Sequence, residues 1–168
     1  MIINNLSGKA WRRSLSVLGG VAGAMFVLSA AAMAGECPAD KRVAGGKGAQ
    51  MVNFGPQGVT DTVLATIDLA KEPAAIKDRS FRLRRLVIQP NGIVPWHSHD
   101  DRPALIYIIE GEVTEYSSTC SVPIVHKAGE IAPPEAKGTA HWWKNTGSKT
   151  VVLISADLLP VKADAKTM

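Results

Sequence analysis

The sequence predicts an all-β domain closed into a sandwich or barrel. Three observations predict it. Short runs rich in Val, Ile, Leu, Thr and aromatic residues recur at near-regular spacing between Thr62 and Leu159. Gly-, Pro- and Asn-containing turns separate these runs. Only one short segment, residues 71–78, reads as helix, and no repeat or second domain interrupts the pattern.

Residues 1–34 read as an export signal that is cleaved. Lys9, Arg12 and Arg13 precede an uncharged run ending in Ala32-Met33-Ala34, the small-x-small pattern of a cleavage site before Gly35. The pair Arg12-Arg13 with Ser14-Leu15 resembles a twin-arginine signal, so the export machinery of that route is one expected partner. A retained anchor is the alternative, since the run is about long enough to span a bilayer. Cleavage would make the mature protein periplasmic or secreted. Residues 35–60 are Gly-rich without periodicity and read as an irregular N-terminal arm; residues 61–168 form the single domain. Cys37 lies in the arm and Cys120 in the domain. They are the only two cysteines, and an oxidising compartment makes a Cys37–Cys120 disulfide the expectation, with two unrelated thiols as the alternative.

Strands are expected at residues 62–69, 80–89, 93–99, 104–109, 112–118, 122–126, 139–145 and 150–159. Pro90-Asn91-Gly92 reads as a turn between the second and third, and Glu110-Gly111 as a hairpin turn. Alternation puts Arg82 and Arg84 on one face, opposite Leu83, Arg85 and Val87. The bland reading of Arg82, Arg84, Arg85 and Arg102 is a solvated strand face and loop.

Charge excludes little but points away from nucleic acid. The chain has 19 Lys+Arg and 15 Asp+Glu. Removing the signal takes away three basic residues and no acidic ones, leaving 16 against 15, a formal +1. There is no helix-turn-helix pattern, Gly-rich phosphate loop or CxxC, so no nucleic-acid partner is expected.

The stretch PWHSHDDRPALIYIIEG, residues 95–111, carries the chemistry. Side chains at i and i+2 of a strand point the same way, so His97 and His99 form half of a metal site. GTAHWWKN, residues 138–145, supplies the other half through His141, with Trp143 and Asn145 on the same face. The two stretches resemble the paired motifs of the cupins. The first family motif, G-x5-H-x-H-x3,4-E-x6-G, is met by Gly92, His97, His99 and Gly111, one residue short in the first spacer. The second, G-x5-P-x-G-x2-H-x3-N, is met by Gly129, Gly138, His141 and Asn145, with its Pro displaced to Pro133-Pro134. The resemblance covers roughly residues 60–160. It implies a cupin-type jelly-roll β-barrel, or double-stranded β-helix, and a metal held by His97, His99 and His141. The family's glutamate position falls on Ala104, and Asp100, Asp101 and Glu110 are out of register.

Three neutral imidazoles suit one divalent transition metal: Fe, Zn, Mn, Ni or Cu. They leave its +2 charge undiminished and coordination positions open, as catalytic sites do. The expected function is therefore an exported mononuclear metal-binding cupin, an oxygenase or other Lewis-acid enzyme acting on a small anionic substrate. The alternative is a non-catalytic cupin that binds a metal or small ligand; a degenerate site used for assembly is a third reading. Fold alone does not choose between them. Arg102, next to the site in sequence, is the residue best placed to hold an anion. Trp143 is a candidate substrate contact, although inward aromatic residues more often only fill space. Asn145 is read as orienting a histidine or as opening the Asn-Thr-Gly turn, and His126 as a satisfied or surface histidine outside both motifs. Homodimerisation, metal identity, catalysis and substrate stay open.

Overall fold

The structure, a computed structural model, describes residues 35–44 and 46–161. The export-signal expectation falls on residues 1–34, outside the described residues. Among the described residues no helix is long and apolar enough to cross a membrane.

Seven strands form in order: β1 (Gln57–Asp68), β2 (Arg79–Ser98), β3 (Ala104–Glu110), β4 (Glu112–Ser117), β5 (Ile124–Lys127), β6 (Ala140–Lys144) and β7 (Val151–Pro160). All pair antiparallel, in the order β3-β7-β2-β6-β4-β5, with β1 added on β2. The long β2 belongs to two layers. Its first half, Arg79 to Ile88, lies between β1 and β7, and its second half, Ile93 to Ser98, pairs with β6. The free edges, β3 and β5, are joined by the chain that follows β5. There Gly129 N donates to Ile108 O (2.9 Å), Ala132 N to Ile106 O (3.0 Å) and Glu135 N to Ala104 O (3.0 Å). The result is a nearly closed jelly-roll barrel, which removes the unpaired edges an open sheet would expose.

Alternation supplies the core. Leu86 and Ile88 of β2, Ile106 and Ile108 of β3, Val113 of β4, Trp143 of β6 and Val151 and Leu153 of β7 pack together, all buried. Burying each large aliphatic side chain contributes about 1.5–3 kcal/mol.

Two expectations need correction. Pro90-Asn91-Gly92 does not reverse the chain. Asn91 takes φ 64°, Asn91 N donates to Asn145 O (2.9 Å) and Asn145 N to Gly92 O (3.0 Å), so the segment is an irregularity inside β2. A Cβ on Gly92 would lie 2.7 Å from Gln89 O, which reserves the place for glycine. Residues 71–78 are not helical. A 3-10 turn at Leu69–Lys71 is capped by Asp68, and Pro73 together with positive φ at Ala75 (44°) and Asp78 (57°) prevents continuation. The arm preceding β1 is bonded to the barrel by its backbone. Val43 N donates to Thr119 O (3.0 Å), Ser121 N to Lys41 O (3.0 Å) and Ala49 N to Ser117 O (2.8 Å).

Cys37 and Cys120 form a disulfide that fixes this arm to the barrel across 83 residues of sequence. Thiol titration of the unfolded, unreduced protein should therefore find no free thiol; two per chain would refute the bridge.

Candidate metal centre

His97 lies next to the last residue of β2 and His99 just beyond it, and β6 lies alongside with His141 directly opposite His97. Strand alternation and register thus bring three imidazoles to one point. His141 Nε2 lies 3.0 Å from His97 Nε2 and 3.1 Å from His99 Nε2. His99 and His141 are buried and His97 is half-buried.

The outer nitrogens determine what the inner ones can do. His97 Nδ1 lies 2.9 Å from Pro95 O and His99 Nδ1 2.8 Å from Arg102 O. A carbonyl only accepts, so both Nδ1 atoms carry the proton and both Nε2 atoms present a lone pair. His141 Nδ1 lies 2.7 Å from Glu115 Oε1 and donates to that carboxylate. Trp143 Nε1 also lies 3.1 Å from this Nδ1, but a protonated nitrogen cannot accept, and the shorter bond to Glu115 decides. Three neutral rings so arranged would point their lone pairs at one another, with His141 Nε2 about 3 Å from each of the other two. A shared cation, or a proton on His141, relieves that repulsion. The spacing is that of nitrogens bound to one transition metal at about 2.1 Å, so the residues fit the ion their chemistry suggests.

Electrostatics agree. Burial, with the charge of His141 adding to it, holds His97 well below the usual imidazole range; the same causes bring His99 to about 4. Both are thus neutral ligands at neutral pH. For His141 burial acts downward, but the hydrogen bond and charge of Glu115 outweigh it and raise the ring.

Sequence reasoning missed the carboxylates behind His141. Glu115 is buried on β4, with Oε1 on His141 and Oε2 2.7 Å from His126 Nε2. Burial would raise it, yet these hydrogen bonds bring it down to about 2. His126 is therefore neither a surface residue nor one of the three convergent ligands; it holds Glu115 and stacks on Trp143, ring centres 5.0 Å apart. A usable signal existed: Glu115 alternates with inward Val113 and Ser117. Glu135, also buried, has Oε1 3.6 Å from His141 Nδ1. Burial raises its carboxyl to about 7. Glu115 and Glu135 border a cavity of about 380 Å³ between arm and barrel, also lined by Glu36 and Arg42.

The Glu135 shift has a consequence for stability. The folded carboxyl titrates near 7 and an unfolded one near 4.3. Between these values the folded chain holds a proton that the unfolded chain releases, so this group's contribution falls as pH rises. In chelator-treated protein, Glu135→Gln should raise unfolding free energy by about 1–2 kcal/mol at pH 8 and change it little at pH 4. Urea titrations at the two pH values check this.

The arginines are not a solvated face. Arg82, Arg84 and Arg102 are buried around Asp157, and only Arg85 of the four is exposed. Arg82 grips Asp157 with two hydrogen bonds of 3.0 and 2.9 Å; Arg84 and Arg102 each approach Oδ2 to 3.3 Å. Arg84 also pairs with Asp61. A carboxylate on β7 and another on β1 make these buried guanidinium groups tolerable.

Beside the histidines is a small cavity of about 30 Å³, lined by His97, His99, His141, Trp143, Arg84 and Ser155 among others. Trp143 thus stands at the cavity. Arg102 is not among its lining residues; its guanidinium lies on Asp157 and its carbonyl holds His99. Asn145 makes no bond to a histidine: its amide donates to Ile88 O (3.0 Å) and Lys149 O (2.8 Å) and accepts from Gly147 N (3.0 Å).

A jelly-roll barrel with three convergent histidines at the end of its central strand defines a cupin with groups able to hold a metal. Residues 84–157 match the family model for the cupin domain, so the chain carries a cupin domain. No curated protein matches it. Among solved structures it is similar to the cupin domain of Cnp3 from Schizosaccharomyces pombe, at 17% identity and TM-score 0.45, over 62% of this chain and 68% of that one. It is also similar to a protein with a double-stranded β-helix domain from Klebsiella pneumoniae, at 19% identity and TM-score 0.46, over 68% and 85%. A third is a predicted oxalate decarboxylase from Thermotoga maritima, at 18% identity and TM-score 0.44, over 63% and 99%.

Proposed function

We propose that the chain is an exported mononuclear metal protein that binds one divalent transition metal through His97, His99 and His141 and acts on a small anionic molecule, as an oxygenase or other Lewis-acid enzyme. The convergence of three Nε2 lone pairs carries this reading. A metal bound there supplies a Lewis-acid centre whose charge no ligating carboxylate reduces.

The chain's own groups support the rest. Pro95 O, Arg102 O and Glu115 orient the three rings and fix their tautomers. Leu86, Val94, Ile106 and Leu153 line the cavity and exclude bulk water. Arg84 brings positive charge to the same cavity, and its Nε is buried without a partner among the described residues. That N–H is a donor for an anion, a role that Arg102 is less well placed to take. A second reading, a cupin that binds without turnover, is favoured by the cavity's size, since about 30 Å³ holds little more than a water molecule.

Metal analysis of protein purified from its native compartment tests the proposal, with about one transition metal per chain expected. Oxygen consumption or product formation with small carboxylates, diketones or thiols then separates the two readings. Absence of metal after reconstitution with each candidate ion would sink both.

A further inference from the structure

The mechanism leaves one buried polar atom without a partner on the far side of Glu115. His126 is fully buried, and its Nε2 lies 2.7 Å from Glu115 Oε2. Glu115 is a carboxylate, so Nε2 carries the proton and Nδ1 presents a lone pair. That Nδ1 has no hydrogen-bond donor among the described residues. A buried acceptor left so is unfavourable by about 1–3 kcal/mol; it calls for an N–H or O–H.

Gly35 lies against it. Gly35 is buried and has φ +89°, a conformation that favours glycine. The position a Cβ would occupy on Gly35 is 3.2 Å from His126 Nδ1 and 3.2 Å from Glu130 Oε2. The Gly35 nitrogen is bonded to the same carbon, so it lies about 2.5 Å from that position. The sequence independently puts a cleavage site immediately before Gly35. Two unrelated observations, a buried acceptor beside a carboxylate and a processing pattern, thus meet at one residue.

We propose that His126 Nδ1 and Glu130 form a docking site for the α-ammonium group that cleavage before Gly35 creates. The ammonium donates one N–H to His126 Nδ1 and pairs with the Glu130 carboxylate, which also accepts from Lys127 N at 2.8 Å. An uncut chain has a single amide N–H and no charge at this nitrogen. Processing therefore completes a polar chain from the N-terminus through His126 and Glu115 to His141. The proposal rests on the reading of residues 1–34 as a cleaved signal, but its test does not. The sheet, the core and the disulfide all lie within residues 35–161.

Three oxidised chains are compared: one beginning at Gly35, one beginning at Ala34, and the Gly35 chain with its α-amine acetylated. The Gly35 chain should melt about 4 °C or more above the other two. Glu130→Gln should shrink that difference by at least half. The nitrogen resonance of His126 Nδ1 should shift toward the hydrogen-bonded range in the Gly35 chain alone. Equal melting temperatures, or a His126 Nδ1 resonance that is the same in all three, would overturn the docking site. Intact mass of the exported protein separately tests where cleavage occurs.

Discussion

His141→Ala will lose its metal and a large part of its stability, and the two losses have separate causes. The metal goes because two imidazoles remain where three converged. The stability goes because Glu115 keeps His126 but loses the donor 2.7 Å from its other oxygen, deep in the barrel. Removing one member of a buried hydrogen-bonded pair costs about 3–5 kcal/mol. His97→Ala separates these effects. The His97 outer nitrogen bonds only a backbone carbonyl, and the ring is half-buried. That variant should lose as much metal and about 1 kcal/mol of stability, the worth of an ordinary hydrogen bond. Metal content after dialysis and urea midpoints of chelated protein measure the two quantities. If wild type and His97→Ala hold equal metal at saturation, the three-histidine centre is wrong.

Asp157→Ala should be at least as damaging without touching the metal ligands. Asp157 is 1% exposed and is approached by three buried arginines. Its loss leaves Arg82 with no carboxylate partner among the described residues and Arg84 with Asp61 alone. The expected cost is about 3–5 kcal/mol, a large share of a domain's typical stability of about 5–15 kcal/mol. Asp157→Asn should also lose most of it, because the amide keeps the shape and drops the charge. Asp101, largely exposed and paired with Arg79, provides the contrast; Asp101→Ala should cost under about 1 kcal/mol. An Asp157→Ala protein within about 1 kcal/mol of wild type in urea would show that this cluster contributes little to the fold.

Much of the barrel was legible because alternation is a local signal. The inward faces of β3 and β6 follow from the period-2 pattern around Ile106, Ile108, His141 and Trp143. So does the convergence of the histidines, once two spaced motifs are recognised. Less local features were not legible. Nothing near Pro90-Asn91-Gly92 says that its backbone will bond to Asn145, more than fifty residues away in sequence, and so keep β2 continuous. Arg82 and Arg84 read as solvent-facing because their neutralising carboxylates, Asp61 and Asp157, come from other strands. Glu115 was missed for a related reason. A lone glutamate in a strand reads as surface until two histidines from elsewhere are placed on its oxygens.

The continuity of β2 also governs when this protein can become a protein. Its flanking strands come from both ends of the domain: β1 precedes it, while β6 and β7 are made last among the seven described strands. A nascent chain still lacking Val151–Pro160 has β1 as the one available neighbour for the Arg79–Ile88 half, and its buried arginines have no Asp157. Closing pairs so distant in sequence is slow, because the loop entropy must be overcome before the contacts form. His141, on β6, is likewise made only after most of the barrel's strands. The barrel therefore cannot close until Val151–Pro160 has left the ribosome, and a chain that stops short of that strand would yield a polypeptide for proteases rather than a weaker barrel.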